Sequence, residues 1–563
     1  MKIIESILKH PACLLLTILT LAVIIVPNVM LCVTERMNWL ECLANILMPL
    51  GLYMILLSLF KKTGWGVWIL LPVFALCAFQ IVIVFLYGGS IIAVDMFLNV
   101  VTTNVSEATE LLGNLGSAMI LVVLLYVPVL VYATVTIVRK RTLGKRLKKV
   151  LLSIGILCTG ILALFVIVCY RNIDGYSLTR DVFPVNVINN IRIAVERTKE
   201  VERYPETSAD FSYGALSTHD DGRETYVLVI GETSRTGNWQ LGGYTRNTNP
   251  KLSRRNNLTF YRRALSESNT THKSVPMLMS HITAENFDSI KNVKSILTAF
   301  KEAGFKTTFV SNQAPNHSYT QYFGEEADEC IYLPGEEATE HHPYDSEMVE
   351  YVKKSLNDIC ILKNFYVLHS YGSHFKYAER YPAETGSFKP DECKDVSMEM
   401  RKYLVNAYDN SIEYTDFWIN QLMTVLDEAG GCCGLVYASD HGEDILDDDR
   451  ERFLHASPTP TYYQLHVAML TWVNDNHAAE YPEKIANMKE HSDLFVSSTA
   501  TVFDTMLDIA GVKTDVSRDD RSLASRDYHA GSVLYLDDMN EGVDITECGL
   551  KAEDFIKLHR LVF

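Results

Sequence analysis

Residues 225–235 read TYVLVIGETSR, an apolar run rich in β-branched side chains that ends in a glycine, a carboxylate, two hydroxyls and an arginine. Such a run is typical of a buried strand in a parallel sheet. Similar runs, separated by helical patterns, follow along the chain: KTTFVSN (306–312), NFYVLHS (364–370), CGLVYAS (433–439) and VAMLTWV (467–473). The alternation predicts an α/β domain with a mostly parallel sheet covered by helices on both faces.

Polar residues follow two of these runs directly. Glu232 comes after the first run, and Asp440 and His441 begin the DHGE sequence (440–443) after the fourth. Ligands bind outside the carboxyl ends of parallel strands, and two carboxylates with an imidazole suit zinc or manganese. Either fragment alone is equally compatible with a simple turn. The two strand ends together predict a metal site.

A third polar stretch, SNTTHKSVP (268–276), reads as a loop that enters a helix, with Pro276 in its first turn. Helix N-termini favour anions, and a hydroxyl beside a metal there can act as a nucleophile. Simple N-capping by Ser or Thr is the alternative. The acidic run DILDDDRE (444–451) is predicted to be a solvated flap.

The N-terminal third of the chain is a different kind of sequence. Glu41, close to the outer end of an apolar stretch, is expected at the membrane interface. Each apolar stretch has the length that spans about 30 Å of hydrocarbon. These stretches are residues 11–33, 38–60, 65–87, 115–138 and 149–169. They predict a five-helix transmembrane domain (1–170), followed by a linker with an amphipathic helix (171–222) and a catalytic domain (223–563).

Lys and Arg occur in alternate connections, and such short basic connections stay cytoplasmic. The connection 88–113 contains neither residue type. A cleaved signal peptide is the alternative for the first span, but its apolar run is too long and no cleavage site follows. We therefore expect a cytoplasmic N-terminus and an exported C-terminal domain. The net charge of −17 argues against a nucleic-acid partner.

These motifs resemble those of the bacterial phosphoethanolamine transferases that modify lipid A and related glycolipids, including the mobile colistin-resistance enzymes, within the alkaline phosphatase/sulfatase superfamily. The resemblance rests on GETSR (231–235), Gly243, Tyr244, Arg246, Thr248, Pro250, Thr271, Ser274, Val275, Pro276 and DHGE (440–443). It implies zinc ligation by Glu232, Thr271, Asp440 and His441. It also implies that Thr271 is the nucleophile, rather than Thr233 or Thr270.

The resemblance extends to further residues with a substrate-side role. His374 and His455 match positions that bind the phosphoryl group or a second zinc ion, and Asn312 and Gln313 resemble a polar substrate-binding pair. Asn104 and Glu107 resemble a segment that meets the catalytic domain from the membrane side. A plain interfacial amphipathic helix is the alternative for that last segment.

The function implied is transfer of phosphoethanolamine from phosphatidylethanolamine to lipid A or another glycolipid through a phosphothreonine. The protein would be a monomer in the bacterial inner membrane with a periplasmic catalytic domain. The added ammonium would weaken attraction for cationic peptides such as polymyxin. The alternatives are a phosphoglycerol transferase of the lipoteichoic-acid synthase type and a catalytically inactive membrane sensor. Glu267 and Met277 stand where family members often have cysteines, which leaves the acceptor open.

Overall fold

The computed structural model divides into two compact units. The membrane unit comprises residues 1–97 and 111–196, and the sheet unit comprises residues 98–110 and 197–563. The residues described are 11–35, 37–87, 89, 91–102, 116–172, 176–219, 222–334, 342–393 and 396–562. Asn104 and Glu107 lie outside the described residues.

The membrane unit consists of apolar helices that follow the predicted stretches. Among the described residues, four helices are long and apolar enough to cross a membrane, and Thr63–Ile69 and Leu71–Tyr87 make a fifth if that pair, bent by 55°, counts as one span. The Glu41 carboxylate accepts a hydrogen bond from the backbone of Asn38 in a capping box, which explains a charge at a helix start. Val94–Thr102 and Val185–Glu202 extend beyond the limits of this unit. The described helices are Pro11–Ile24, Val26–Thr34, Trp39–Leu59, Thr63–Ile69, Leu71–Tyr87, Val94–Thr102, Gly116–Val138, Lys145–Asn172, Leu178–Asp181 and Val185–Glu202.

The sheet unit is built on a seven-stranded sheet. The strands are β1 (Glu224–Gly231), β2 (Leu258–Phe260), β3 (Lys306–Ser311), β4 (Glu329–Tyr332), β5 (Lys363–His369), β6 (Cys432–Ser439) and β7 (Met469–Val473). Their spatial order is β2-β7-β6-β1-β5-β3-β4. All five predicted runs are strands of this sheet, but β7 and the short edge strand β2 run antiparallel to their neighbours. The sheet is therefore mixed: β7 runs opposite to the other six strands, because it is antiparallel to β6 on one side and to β2 on the other.

Both faces of the sheet are covered. Every residue of β1 is buried, and alternate side chains point to opposite faces. Leu228 belongs to a core with the helix Ser498–Ile509, and Val229 belongs to a separate core with the helix Arg401–Ala429. The other α-helices of this unit are Tyr204–Thr207, Thr271–Leu278, Ile296–Glu302, Tyr319–Gly324, Glu347–Leu356, Tyr462–Leu465, Asp475–Glu480, Pro482–Glu490 and Ala552–Val562.

Candidate metal centre and active site

Two neighbouring strand ends bring two carboxylates together. β1 and β6 pair in parallel with Gly231 opposite Ser439, so the next residues, Glu232 and Asp440, emerge side by side. Both are buried. Thr233 has a φ of +53°, and its N–H donates to Asp440 Oδ1 at 3.2 Å. A strained backbone of this kind is common at functional sites.

Thr271 is the first residue of the helix Thr271–Leu278 and faces this pair. Its Oγ1 lies 3.1 Å from His441 Nε2 and 3.5 Å from Glu232 Oε2. His441 Nε2 lies 3.5 Å from Glu232 Oε1 and 3.2 Å from Asp440 Oδ2. His441 Nδ1 is 2.9 Å from the carbonyl of Gly442, which favours a proton on Nδ1 and leaves Nε2 as a ligand.

The buried charges of this group, Glu232, Thr271, Asp440 and His441, favour a bound cation. Glu232 Oε1 and Asp440 Oδ2 are buried and have no hydrogen-bond partner among the described residues. Burial, and then the charge of Asp440, raise the pKa of Glu232 well above its ordinary value, while burial lowers the pKa of His441 to about 4. A tetrahedral zinc site with bonds of about 2 Å has ligand separations of about 3.3 Å, close to those found here. The residues present therefore fit a zinc ion.

His455 lies beside this group. Its ring centroid is 4.0 Å from that of His441, and Glu232, His441 and His455 each offer a ligand atom within 4.8 Å of the others. His455 Nδ1 is 3.2 Å from Glu443 Oε1, the last residue of DHGE. Burial raises the pKa of Glu443 to about 8 and lowers that of His455 to about 4. His455 is thus placed against the candidate metal ligands His441 and Glu232.

The loop after β5 supplies His374. The side chain is half-buried and stacks on Tyr371 with 4.8 Å between ring centroids, and its buried Nδ1 has no hydrogen-bond partner in the described part of the chain. Burial, and then the charge of Arg380, lower the pKa of His374. The neighbouring Ser373 N–H donates to the Glu232 carbonyl at 3.0 Å, which ties this loop to the metal residues.

Asn312 and Gln313 use their amides within the protein. Asn312 Nδ2 donates to Asp345 Oδ1 at 2.8 Å, and Gln313 Nε2 donates to Glu232 Oε2 at 3.1 Å. Asp345 also accepts the backbone N–H groups of Tyr371 and Gly372. Sequence reasoning missed Asp345, because nothing in HHPYDSE (341–347) marks its spacing to a strand end.

The acidic run is not a solvated flap along its whole length, so that prediction was wrong. Asp444 is buried, and Asp447 forms a two-point ion pair with Arg235 at 2.6 and 2.9 Å. Arg235 is the last residue of GETSR and is itself 6 % exposed. The first four residues of the run, 444–447, therefore lie inside the sheet unit, where Asp447 contacts Arg235.

Glu267 and Met277, which stand where family members often have cysteines, make other contacts in this protein. The Glu267 carboxylate is buried and accepts the backbone N–H of Ala284 at 2.9 Å, while Met277 lies in the apolar core. Burial raises the pKa of Glu267. The Glu267 carboxylate thus joins the segment that precedes Thr271 to the backbone of Ala284.

Comparison with known proteins connects this geometry to a family. Residues 224–512 match the Sulfatase family, and residues 50–181 match the family described as Phosphoethanolamine transferase EptA/EptB. The chain is 30% identical over 312 residues to Kdo(2)-lipid A phosphoethanolamine 7''-transferase of Escherichia coli (strain K12), covering 54% of each chain. It is 27% identical over 320 residues to phosphoethanolamine transferase EptA of Salmonella typhimurium, covering 53% of this chain and 55% of that one. The chain spans about half the length of the curated relatives it matches.

Solved structures share the fold. The integral membrane protein lipooligosaccharide phosphoethanolamine transferase A from Neisseria meningitidis is similar with a TM-score of 0.67 and 20% identity, over 90% of this chain and 97% of that one. The C-terminal periplasmic domain of EptC from Escherichia coli is similar with a TM-score of 0.54 and 25% identity, over 60% and 97%. The chain therefore belongs to the sulfatase family, and its N-terminal part matches the family described as Phosphoethanolamine transferase EptA/EptB.

Proposed function

We propose that this protein transfers phosphoethanolamine from phosphatidylethanolamine to lipid A or another glycolipid, with Thr271 as the covalent carrier. The observation that carries the proposal is the position of the Thr271 hydroxyl, 3.1 Å from His441 Nε2 and beside two buried carboxylates. A hydroxyl in that position can be activated as a nucleophile.

Glu232, Thr271, Asp440 and His441 would hold a zinc ion. When bound, that ion would lower the pKa of the Thr271 hydroxyl and stabilise negative charge on the phosphoryl oxygens. The periplasmic domain of EptC from Escherichia coli has been crystallised with zinc, in a structure of 24% identity to this chain. His455 and His374 border the same space and are candidates for a second ion or for the phosphoryl group.

The reaction has two displacements. In the first, a bond forms between Thr271 Oγ1 and phosphorus, and the bond from phosphorus to the diacylglycerol oxygen breaks. In the second, an acceptor oxygen attacks phosphorus and the bond to Thr271 breaks. A neutral imidazole can accept the proton of an acceptor hydroxyl, and burial lowers the pKa of His455, which favours the neutral ring.

The apolar helices and the names of the relatives support the proposed substrates. A chain with four to five membrane-crossing helices meets a lipid donor directly. The Escherichia coli relative is named for modification of Kdo(2)-lipid A, which supports a glycolipid acceptor. Basic connections such as 139–149 support a cytoplasmic N-terminus and a periplasmic sheet unit.

Reconstitution tests the substrates. Purified protein in vesicles of phosphatidylethanolamine with lipid A and zinc should yield lipid A that carries phosphoethanolamine, detected by mass spectrometry, together with diacylglycerol. Vesicles with phosphatidylglycerol in place of phosphatidylethanolamine should yield neither product. Transfer only from phosphatidylglycerol would move the protein to the phosphoglycerol class, and no turnover of either lipid would indicate an inactive sensor.

A further inference from the structure

The segment that carries His455 has a strained backbone. Leu454 and Ala456, the residues on each side of His455, have φ values of +69° and +59°. Neither is a glycine, and a left-handed conformation at such residues persists only where the surroundings impose it. Some group near His455 must therefore hold this segment.

The side chain of Gln464 holds the segment from both sides. Its Nε2 donates to the Leu454 carbonyl at 3.2 Å, and its Oε1 lies 2.9 Å from Ser457 Oγ, whose single proton is shared with the Thr459 carbonyl at 2.6 Å. The remaining donor and acceptor sites of this amide are used by Asp444 at 2.7 Å and Asn269 at 2.7 Å. Gln464 is fully buried, so the amide has every hydrogen bond it can make inside the protein.

Asn269 extends the contact to the nucleophile. It lies two residues before Thr271, and its Nδ2 donates to the Ser457 carbonyl at 2.9 Å as well as to Gln464. Its own carbonyl accepts the N–H of Ala456 at 3.1 Å. The backbone carbonyl of Gln464 accepts the N–H of Gly442, next to His441, at 2.7 Å. One residue, Gln464, thus contacts the segments of Thr271, His441 and His455.

We infer that Gln464, assisted by Asn269, is a positioning residue that fixes the His455 imidazole relative to Thr271 and His441. The inference rests on the proposed function for its effect on catalysis, but not for the position of His455. Loss of the amide should let Leu454 and Ala456 relax to ordinary φ values, and His455 should then leave the site. Residues around metal sites that orient the functional groups typically change activity by about 10- to 100-fold when altered.

The position of His455 can be measured without any turnover. The probe is diethylpyrocarbonate, applied to the full-length, chelator-treated protein, and the readout is the rate of carbethoxylation at His455 by peptide mass spectrometry. Gln464→Met, which keeps the length of the side chain and removes the amide, should raise that rate several-fold. An unchanged rate in a folded variant would overturn the inference, even if the protein proves inactive.

The measurement of His455 reactivity needs a matched control and a second variant. Asn474 is also a buried amide, but it bonds to Cys433 and Gly431 at the opposite end of β6, so Asn474→Leu should leave His455 reactivity unchanged. Asn269→Asp keeps an acceptor for Tyr535 and removes both Nδ2 bonds. It should act in the same direction as Gln464→Met if the latter folds poorly.

A double-mutant cycle then separates positioning from general destabilisation. At equal folded fraction, Gln464→Met should lower kcat by about tenfold and leave KM for phosphatidylethanolamine nearly unchanged. In a His455→Ala background, the same substitution should have almost no further effect. Equal losses in the two backgrounds would show that Gln464 does not act through His455. Absence of transfer by the wild-type protein would count against the proposed function alone, since the carbethoxylation result stands by itself.

Discussion

The Thr271 hydroxyl oxygen lies 3.1 Å from Nε2 of His441, although the two residues are 170 positions apart in the chain. Thr271 opens a helix, and the N-terminus of a helix favours negative charge. His441 follows the strand β6. The contact thus joins a hydroxyl to a candidate metal ligand in a place suited to a phosphate.

Zinc should stabilise the protein through the two carboxylates. Binding to the folded state alone adds about 2.7 kcal/mol when free zinc is 100 times its Kd, so chelation should lower Tm and added zinc should restore it. Asp440→Asn should make Tm insensitive to zinc. It should also raise the Tm of the metal-free protein, because it removes one of two buried carboxylates. Scanning fluorimetry with chelator and with zinc measures both effects.

Asp416→Asn is the matched control for that experiment. Asp416 is a buried carboxylate that accepts the N–H groups of Lys251 and Leu252, away from the metal residues. Its variant should keep the full response to zinc. A zinc response in Asp440→Asn equal to that of the wild type would rule Asp440 out as a ligand.

Gly372 is expected to be intolerant of any side chain. Its φ is +48°, and an added Cβ would lie 2.7 Å from the carbonyl oxygen and 2.9 Å from the nitrogen of Glu232. Gly372→Ala should therefore cost about 1–3 kcal/mol of stability and weaken zinc binding by about tenfold, through displacement of Glu232. Thermal unfolding and zinc titration measure the two quantities.

Gly304→Ala separates backbone strain from the effect on the metal site. Gly304 also has a positive φ, +88°, but an added Cβ there meets no atom within 4 Å. The Gly304→Ala variant should be less stable than the wild type and should retain wild-type zinc affinity. If Gly372→Ala also retained that affinity, Glu232 would not depend on the loop after β5.

Asp504 should make stability depend on pH. Burial raises its pKa from 3.8 to about 7, so the folded protein keeps a proton there that the unfolded chain releases near pH 4. The folded state therefore binds more protons between pH 4 and 7, and this group makes stability fall as pH rises through that window, by at most about 1.4 kcal/mol per unit. Above pH 7 Asp504 is ionised in both states, so its effect on the free energy of unfolding no longer changes with pH.

Asp504→Asn removes the charge while it keeps an acceptor for the N–H of Arg518. The gain in free energy of unfolding over the wild type should be small at pH 5 and larger at pH 8. Urea titrations at the two pH values give the comparison. The same difference at both would show that Asp504 is ionised throughout in the folded protein.

The strand ends could be predicted because their signals are local. β1 and β6 are runs of apolar residues that end in a polar motif, and two parallel neighbours place those motifs together, as Glu232 and Asp440 show. The direction of β7 could not be predicted in this way, since an apolar run is the same in either direction. The edge strands β2 and β4 have only three and four residues, too few to show a pattern.

The residues around the site were harder to predict than its centre. DILDDDRE looked solvated because acidic runs usually are, yet Asp447 is buried against Arg235, which lies 212 positions away. The roles of Gln464 and Gln313 depend on contacts with Leu454 and Glu232 that no spacing encodes. Long-range hydrogen bonds of this kind appear only once the chain is folded.

The most direct test of Thr271 as the carrier is the intact mass of the protein after incubation with phosphatidylethanolamine and zinc, without acceptor. The wild type should gain the mass of one phosphoethanolamine group, and peptide mapping should place it on Thr271. Thr271→Ala should show no gain, while Thr270→Ala, which alters a neighbouring hydroxyl bonded to Ser268, should still be modified. A gain of equal size in Thr271→Ala would contradict the account.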